Sequence, residues 1–212
     1  MSDELEPSGR RRLRATVEES LRPLTLPNFI TLIRMAIVPF FVLAVSEHDF
    51  KLALWVFIVA SLTDTLDGWL ARRFQLRSVI GAYLDPIADK LLLTAAYISL
   101  TIPQGQDVVI PIWLAILALF RDFLILLVAL ILYLVEGISK FPPSVLGKMT
   151  NAVHATTVVV VLLANLAVLP RWLPPACFYS SFALVIASGF NYIYRSSRFI
   201  EAARQAKAEE RG

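Results

Sequence analysis

Asp64-Thr65-Leu66-Asp67-Gly68-Trp69-Leu70-Ala71-Arg72, eight further residues, then Gly81-Ala82-Tyr83-Leu84-Asp85-Pro86-Ile87-Ala88-Asp89-Lys90: this stretch decides how the rest of the chain is read. It sets aspartates inside two long apolar blocks. Asp64, Asp67, Gly68 and Ala71 are offset by three, four and seven residues, so on a helix they share one face. Gly81, Asp85 and Asp89, offset by four and eight, share one face of the next. The connection is short, which makes the two helices antiparallel neighbours and brings the carboxylates to a single seam. Ionisable groups at membrane depth are costly, about 3 kcal/mol each, and mark functional sites. Four like charges in a low dielectric repel one another, and Lys90 alone is too little counter-charge. Hard divalent ions with oxygen ligands, Mg²⁺ or Mn²⁺, meet that need. Two such ions at ~3.5–4 Å suit phosphoryl chemistry. Gly68, Ala71 and Gly81 let a bulky ligand approach the backbone, and Arg72 stands where it meets a phosphate.

Working outward, 57% of the 212 residues are hydrophobic, and the mean hydropathy is +0.66. The apolar residues fall into six blocks, at about 27–46, 52–72, 81–102, 109–135, 149–169 and 176–195. Each is long enough, or nearly so, to cross a ~30 Å hydrocarbon core. Such spans are helical, because backbone groups in lipid are satisfied within the segment. The expected fold class is an all-α integral membrane protein with six transmembrane helices. Before the first span, Leu13, Val17 and Leu21 make one apolar stripe among Arg and Glu, which predicts a short amphipathic helix at the interface. The organisation expected is an amphipathic segment at 1–24, a six-span domain at 25–198 and a charged tail at 199–212.

The net charge of +3 sits mainly at the two ends. Beside a hydrophobic body, basic ends face anionic headgroups of membrane lipids rather than nucleic acid. Arg10, Arg11, Arg12, Arg14, Arg22, Arg72, Arg73, Arg77, Lys140, Lys148, Arg195, Arg198, Arg204, Lys207 and Arg211 all fall on one side of a six-span layout; Lys51 and Arg171 fall on the other. Both termini are therefore expected to be cytoplasmic. The aspartates then crowd the cytoplasmic ends of two adjacent helices, whereas a transporter scatters its acids near the midplane. Met1 to Arg22 carries no apolar core ahead of a cleavage site, so no signal peptide is expected. Cys177, the lone cysteine, excludes an internal disulfide and a Cys-based structural zinc site.

The pattern Asp-x-x-Asp-Gly-x-x-Ala-Arg, eight residues, Gly-x-x-x-Asp-x-x-x-Asp resembles the signature of the CDP-alcohol phosphatidyltransferases and matches it at every fixed position from Asp64 to Asp89. The resemblance runs from Leu26 to about Arg198. It implies a bacterial inner-membrane enzyme, active on the cytoplasmic side, in which Asp64, Asp67, Asp85 and Asp89 bind two metal ions. Asp89 is in addition the general base on the acceptor hydroxyl. Gly68, Ala71, Arg72 and Gly81 line the CDP site. Leu26-Pro27-Asn28 to Arg34 resembles the family's first-span entry, where Asn28 and Arg34 approach the nucleotide; Asn28 reads equally as a helix cap. Arg121 and Lys148 stand where basic residues of the family meet the acceptor's phosphate. Against that, Arg121 is satisfied by Asp122 if the pair is internal, and Lys148 snorkels. His154 reads as a packed histidine and His48 as a loop residue. Members are often homodimers, which the resemblance implies here.

The resemblance makes CDP-diacylglycerol the donor and CMP the leaving group. Two acceptors fit: glycerol 3-phosphate, as in phosphatidylglycerophosphate synthases, and phosphatidylglycerol, as in CMP-forming cardiolipin synthases. Glu47 to Thr101, the pair Arg121-Asp122, and Thr150 where a second Lys is usual look like the cardiolipin type. The breadth of the phosphatidylglycerophosphate type among bacteria of this architecture favours glycerol 3-phosphate, which is the expectation taken forward. A non-catalytic scaffold or transporter on the same fold is the remote alternative.

Overall fold

A computed structural model of the chain describes residues 26–74, 79–136 and 144–209; within its helices, the side chains of 26–30, 64–74, 79–87, 89, 129–136, 193 and 195–209 lie outside the described set. The described residues are all-helical: α1 Leu26–Ser46, α2 Phe50–Phe74, α3 Val79–Thr101, α4 Ile112–Glu136, α5 Val145–Asn165 and α6 Leu173–Glu209. Each expected apolar block coincides with a helix. The amphipathic segment around Leu13, Val17 and Leu21 falls outside the described residues. α5 and the Leu173–Tyr192 part of α6 are long and apolar enough to cross a bilayer; α5, at 21 residues, rises ~31 Å.

The chain divides into two compact units, residues 1–96 and 97–212. In the first, α1 and α2 form an antiparallel hairpin. Glu47, His48 and Asp49 make its turn, with His48 exposed and at φ 61°. Asp49 starts α2, its carboxylate accepting the Leu52 N–H at 2.9 Å, a side-chain cap on the first turn. Val38, Phe41 and Val45 of α1 and Phe50, Ala53, Phe57 and Ala60 of α2 are buried. The Phe41 and Phe57 rings meet at 5.9 Å. Alanines at the interface let the two backbones approach. On α3 the buried positions Ala88, Leu92 and Ala96 recur every four residues, one stripe of a helix.

In the second unit, α5 packs on α6 and α4 on α6. Asn165, in the last turn of α5, receives the Val108 N–H at 3.0 Å and donates to the Val108 carbonyl at 2.8 Å. That double bond pair ties the segment before α4 to the end of α5. The buried face of α6 runs Phe178, Ser181, Val185, Ser188, Tyr192, a helical stripe in which three positions carry hydroxyls. Ser181 hydrogen-bonds Thr157 of α5 at 2.9 Å. The Thr150 hydroxyl donates to its own helix at Leu146 (2.8 Å) and across to the Leu184 carbonyl (3.3 Å). The prolines between α5 and α6 do not delay α6. Pro174 and Pro175 occupy its first turn, where a missing N–H costs nothing. At its other end α6 continues past the basic cluster at Arg195 to Glu209. Ala202, Ala203, Gln205 and Ala206 are strong helix formers, so the helix runs on through most of the expected tail.

Candidate functional site

Asp64, Asp67, Gly68, Ala71 and Arg72 lie in the second half of α2; Gly81, Asp85 and Asp89 lie in the first half of α3. Their side chains, and that of Asn28, are outside the described residues, so their positions are fixed by helix register alone. On α2, Asp64 and Asp67 stand seven residues beyond Phe57 and Ala60. Seven residues is two turns, and it returns to the same face within about 20°. On α3, Gly81, Asp85 and Asp89 stand seven residues before Ala88, Leu92 and Ala96. The acidic positions thus keep the helical spacing of those buried stripes, while their side chains lie outside the described residues.

The same count applies to α1. Arg34 and Thr31 precede Phe41 and Val38 by seven residues, and both are buried, Arg34 at 2% exposure. Since the hairpin is antiparallel with Phe41 against Phe57, Arg34 comes level with Asp64 and Thr31 with Asp67. The α1–α2 seam is hydrocarbon near its turn and polar at its far end. A buried guanidinium is stable only beside groups that take its hydrogen bonds and charge, so Arg34 marks this end as one built for anions. An all-oxygen set of four carboxylates is the donor set of Mg²⁺ or Mn²⁺, and Arg34 leaves most of that negative charge for cations to match. The residues present therefore fit a divalent-metal site.

The second unit holds the other candidates. Arg121, on α4, is 5% exposed. Its Nη1 donates to Asp122 at 2.7 Å and to Asn151 Oδ1 at 3.2 Å. Its Nη2 donates to Ser188 Oγ at 3.0 Å and the Gly147 carbonyl at 3.5 Å. The guanidinium is therefore held by α4, α5 and α6 together, and its charge is balanced by the adjacent carboxylate. Ser144 caps α5, accepting the Gly147 N–H at 2.9 Å. A Cβ at Gly147 would meet Ser144 Oγ at 3.1 Å and Arg121 Nη2 at 3.2 Å, so glycine is what admits Arg121 to this turn. Lys148 follows and is exposed. α5 thus begins beside the middle of α4, with Lys148, Asn151 and Arg121 around its first two turns. His154, two turns from Gly147, is 4% exposed and meets the Tyr97 ring at 5.2 Å, tilted by 51°, as a packed histidine does.

Sequence reading named Arg121, Asp122 and Lys148. It did not name Ser144, Gly147, Asn151 or Ser188. Ser144 just ahead of an apolar run is a legible cap signal. Ser188, one hydroxyl in an apolar helix, carries none.

Residues 24–192 match the sequence profile of a family described as CDP-alcohol phosphatidyltransferase. Among curated relatives, a human cardiolipin synthase (CMP-forming) is 38% identical over 135 residues, 63% of this chain and 42% of that protein. A Bacillus subtilis CDP-diacylglycerol–glycerol-3-phosphate 3-phosphatidyltransferase is 34% identical over 157 residues, 66% of this chain and 78% of that protein. A probable phosphatidylglycerophosphate synthase of Mycobacterium tuberculosis is 31% identical over 191 residues, 85% of each chain. The chain spans less than half the length of the cardiolipin synthase relatives it matches.

Proposed function

The chain belongs to the CDP-alcohol phosphatidyltransferase family, and from that premise we propose that it transfers the phosphatidyl group of CDP-diacylglycerol to a glycerol hydroxyl, releasing CMP. The observation that carries the proposal is the motif from Asp64 to Asp89, which sets four acidic positions at helical spacing on α2 and α3. Carboxylates within apolar helices have no packing role that apolar residues would not fill better. In the reaction the acceptor oxygen attacks the phosphorus that carries diacylglycerol. A new P–O bond forms to the acceptor, the bridging P–O bond of the pyrophosphate breaks, and CMP departs with the electron pair. Asp64, Asp67, Asp85 and Asp89 hold two Mg²⁺ or Mn²⁺ ions, which when bound supply positive charge to the pyrophosphate. Asp89 also takes the proton of the acceptor hydroxyl. Gly68, Ala71 and Gly81 leave room for the cytidine end, and Arg72, Arg34 and Asn28 meet it.

All six helices cross the membrane, with both termini and the reaction on the cytoplasmic side, as the Lys and Arg bias supports. CMP then leaves to water. The N-terminal segment lies at the interface, and the active form is a homodimer.

Glycerol 3-phosphate is the first acceptor reading. The relatives named for that reaction are covered over 78% and 85% of their own lengths. Arg121 and Lys148 would face its phosphate. Phosphatidylglycerol is the second, and a specific observation favours it: Asp122 already neutralises Arg121, which leaves Lys148, of these two basic residues, to meet a phosphate monoester. The test is a product assay on purified protein in nanodiscs with CDP-diacylglycerol and Mg²⁺. Phosphatidylglycerophosphate formed from glycerol 3-phosphate supports the first reading, and cardiolipin formed only from phosphatidylglycerol supports the second. No CMP release with either, across several divalent metals, overturns both.

A further inference from the structure

α5 carries two asparagines, and the fold uses them differently. Asn165 spends both ends of its amide. Its Oδ1 accepts the Val108 N–H at 3.0 Å, and its Nδ2 donates to the Val108 and Val161 carbonyls at 2.8 and 3.0 Å. Asn151 spends one end. Its Oδ1 accepts from Arg121 Nη1 at 3.2 Å, and among the described residues nothing accepts from its Nδ2.

The chemistry of the partner fixes which way this amide points. A guanidinium has five N–H donors and no acceptor, so the oxygen is the end that faces Arg121 and the NH2 group turns away from it. Arg121 does not swing to follow the amide, because Asp122, Ser188 and the Gly147 carbonyl hold the same guanidinium. Asn151 is half-buried, and Lys148, three residues earlier, is exposed. Side chains three apart are neighbours on a helix surface. Two directed N–H donors and an ammonium therefore stand side by side near the start of α5. That helix has no acidic residue to compete for them, and the Asp122 carboxylate is taken up by Arg121. Such a pair matches a phosphate oxygen, which accepts hydrogen bonds and carries negative charge.

We propose that Asn151 is a specificity-determining residue whose Nδ2 donates to a phosphate oxygen of the acceptor beside Lys148, with Arg121 behind it as the positioning residue that fixes the amide. Both acceptors considered above carry such an oxygen, on a monoester in glycerol 3-phosphate and on a diester in phosphatidylglycerol. The identity of the ligand rests on the proposed reaction; the outward direction of the donor rests on the Arg121–Asn151 bond alone.

The test compares two variants of the full chain in nanodiscs, with KM and kcat measured separately for CDP-diacylglycerol and for each acceptor. Asn151→Asp has the same shape and still accepts from Arg121, but it replaces the outward donor with an oxygen that repels phosphate. Asn151→Leu removes the bond to Arg121 and the donor together. The KM for the acceptor that the wild type uses is expected to rise about tenfold in Asn151→Leu and further in Asn151→Asp, with the KM for CDP-diacylglycerol unchanged. Denaturant midpoints should fall in the opposite order, with Asn151→Asp near the wild type and Asn151→Leu below it. A merely structural Asn151 gives one order for both readouts, with leucine the worse; that result, or an acceptor KM near the wild-type value in Asn151→Asp, overturns the proposal. Equilibrium binding of glycerol 3-phosphate needs no turnover. A wild type that releases no CMP yet binds glycerol 3-phosphate, and loses that binding in Asn151→Asp, refutes the proposed reaction and keeps the contact. A wild type that neither reacts nor binds overturns both.

Discussion

Arg121→Met removes a guanidinium that makes four hydrogen bonds to three helices and an ion pair at 2.7 Å. Removing one partner of a buried pair costs about 3–5 kcal/mol, because the other charge is left uncompensated. Asp122 retains 20% side-chain exposure, so water relieves part of that charge and the low end, about 3 kcal/mol, is expected. Asp122→Leu strands the arginine instead, at 6% exposure, and is expected to cost more than Arg121→Met. The double variant Arg121→Met/Asp122→Leu leaves no buried charge. Its deficit should shrink to about 1–2 kcal/mol, the residue of Asn151 and Ser188 losing their donor. Denaturant titration in detergent micelles, followed by far-ultraviolet circular dichroism, gives the three values for a double-mutant cycle. A double variant as unstable as the sum of the singles would refute the reasoning, since the pair would then not be an energetic unit. The same variants separate structure from function. If Arg121 meets the acceptor's phosphate, the stable double variant still shows a raised KM for the acceptor with CDP-diacylglycerol binding unchanged.

Three further outcomes follow from the same geometry. Asp89→Asn is expected to lower CMP release by about 10²–10⁴-fold, the range for loss of a general base, with the protein still folded; a variant with near-normal turnover would remove Asp89 from that role. Chelation with EDTA should abolish CMP release, and Mg²⁺ or Mn²⁺ should restore it, whereas activity indifferent to chelation would dismiss the metal site. Gly147→Ala and Gly189→Ala, the same substitution in two helices, should differ in sign. The first presses a methyl against Ser144 Oγ and Arg121 Nη2 and should destabilise by about 1–3 kcal/mol. The second meets open space and should gain up to about 1 kcal/mol of helix propensity. Equal shifts in denaturant midpoint would contradict the close approach at Gly147.

The helices were legible because apolar run length is a strong signal and the breaks are chemical. Ser46-Glu47-His48-Asp49 ends one helix and Asp49 caps the next. The acidic seam rests on period and residue type alone: the spacing of Asp64 and Asp67 is that of Phe57 and Ala60 two turns earlier, and the aspartate side chains lie outside the described residues. The Arg121 cluster was legible only in part. Adjacent residues on a helix point about 100° apart, so the Arg121–Asp122 pair depends on how long side chains bend. Its remaining partners come from residues 26 to 67 positions away in sequence, and no local pattern reports those. The Thr157–Ser181 bond is hidden for the same reason, because small hydroxyls in apolar helices look like neutral filler until two of them face each other. The end of α6 was missed differently. The basic cluster at Arg195 signals the edge of the hydrocarbon, but leaving the bilayer does not end a helix whose next residues favour it.

Charge is arranged by opposite means in the two candidate sites, and that difference bears on what each can bind. On α2 and α3 the proposed site sets four acidic positions at helical spacing. A site in that state draws cations from solution and through them an anionic donor such as a pyrophosphate. At Arg121 the charge is closed by Asp122 and the fork is filled by Asn151, Ser188 and Gly147. A filled fork resists a dianion, because a phosphate monoester would have to displace Asp122 or share the guanidinium with it at a cost in repulsion. Acceptor choice is therefore read most directly by opening the fork. In Asp122→Asn the hydrogen bond to Arg121 can persist while the positive charge is released. The KM for glycerol 3-phosphate should then fall relative to that for phosphatidylglycerol, and an unchanged ratio would mean that Arg121 plays no part in the choice.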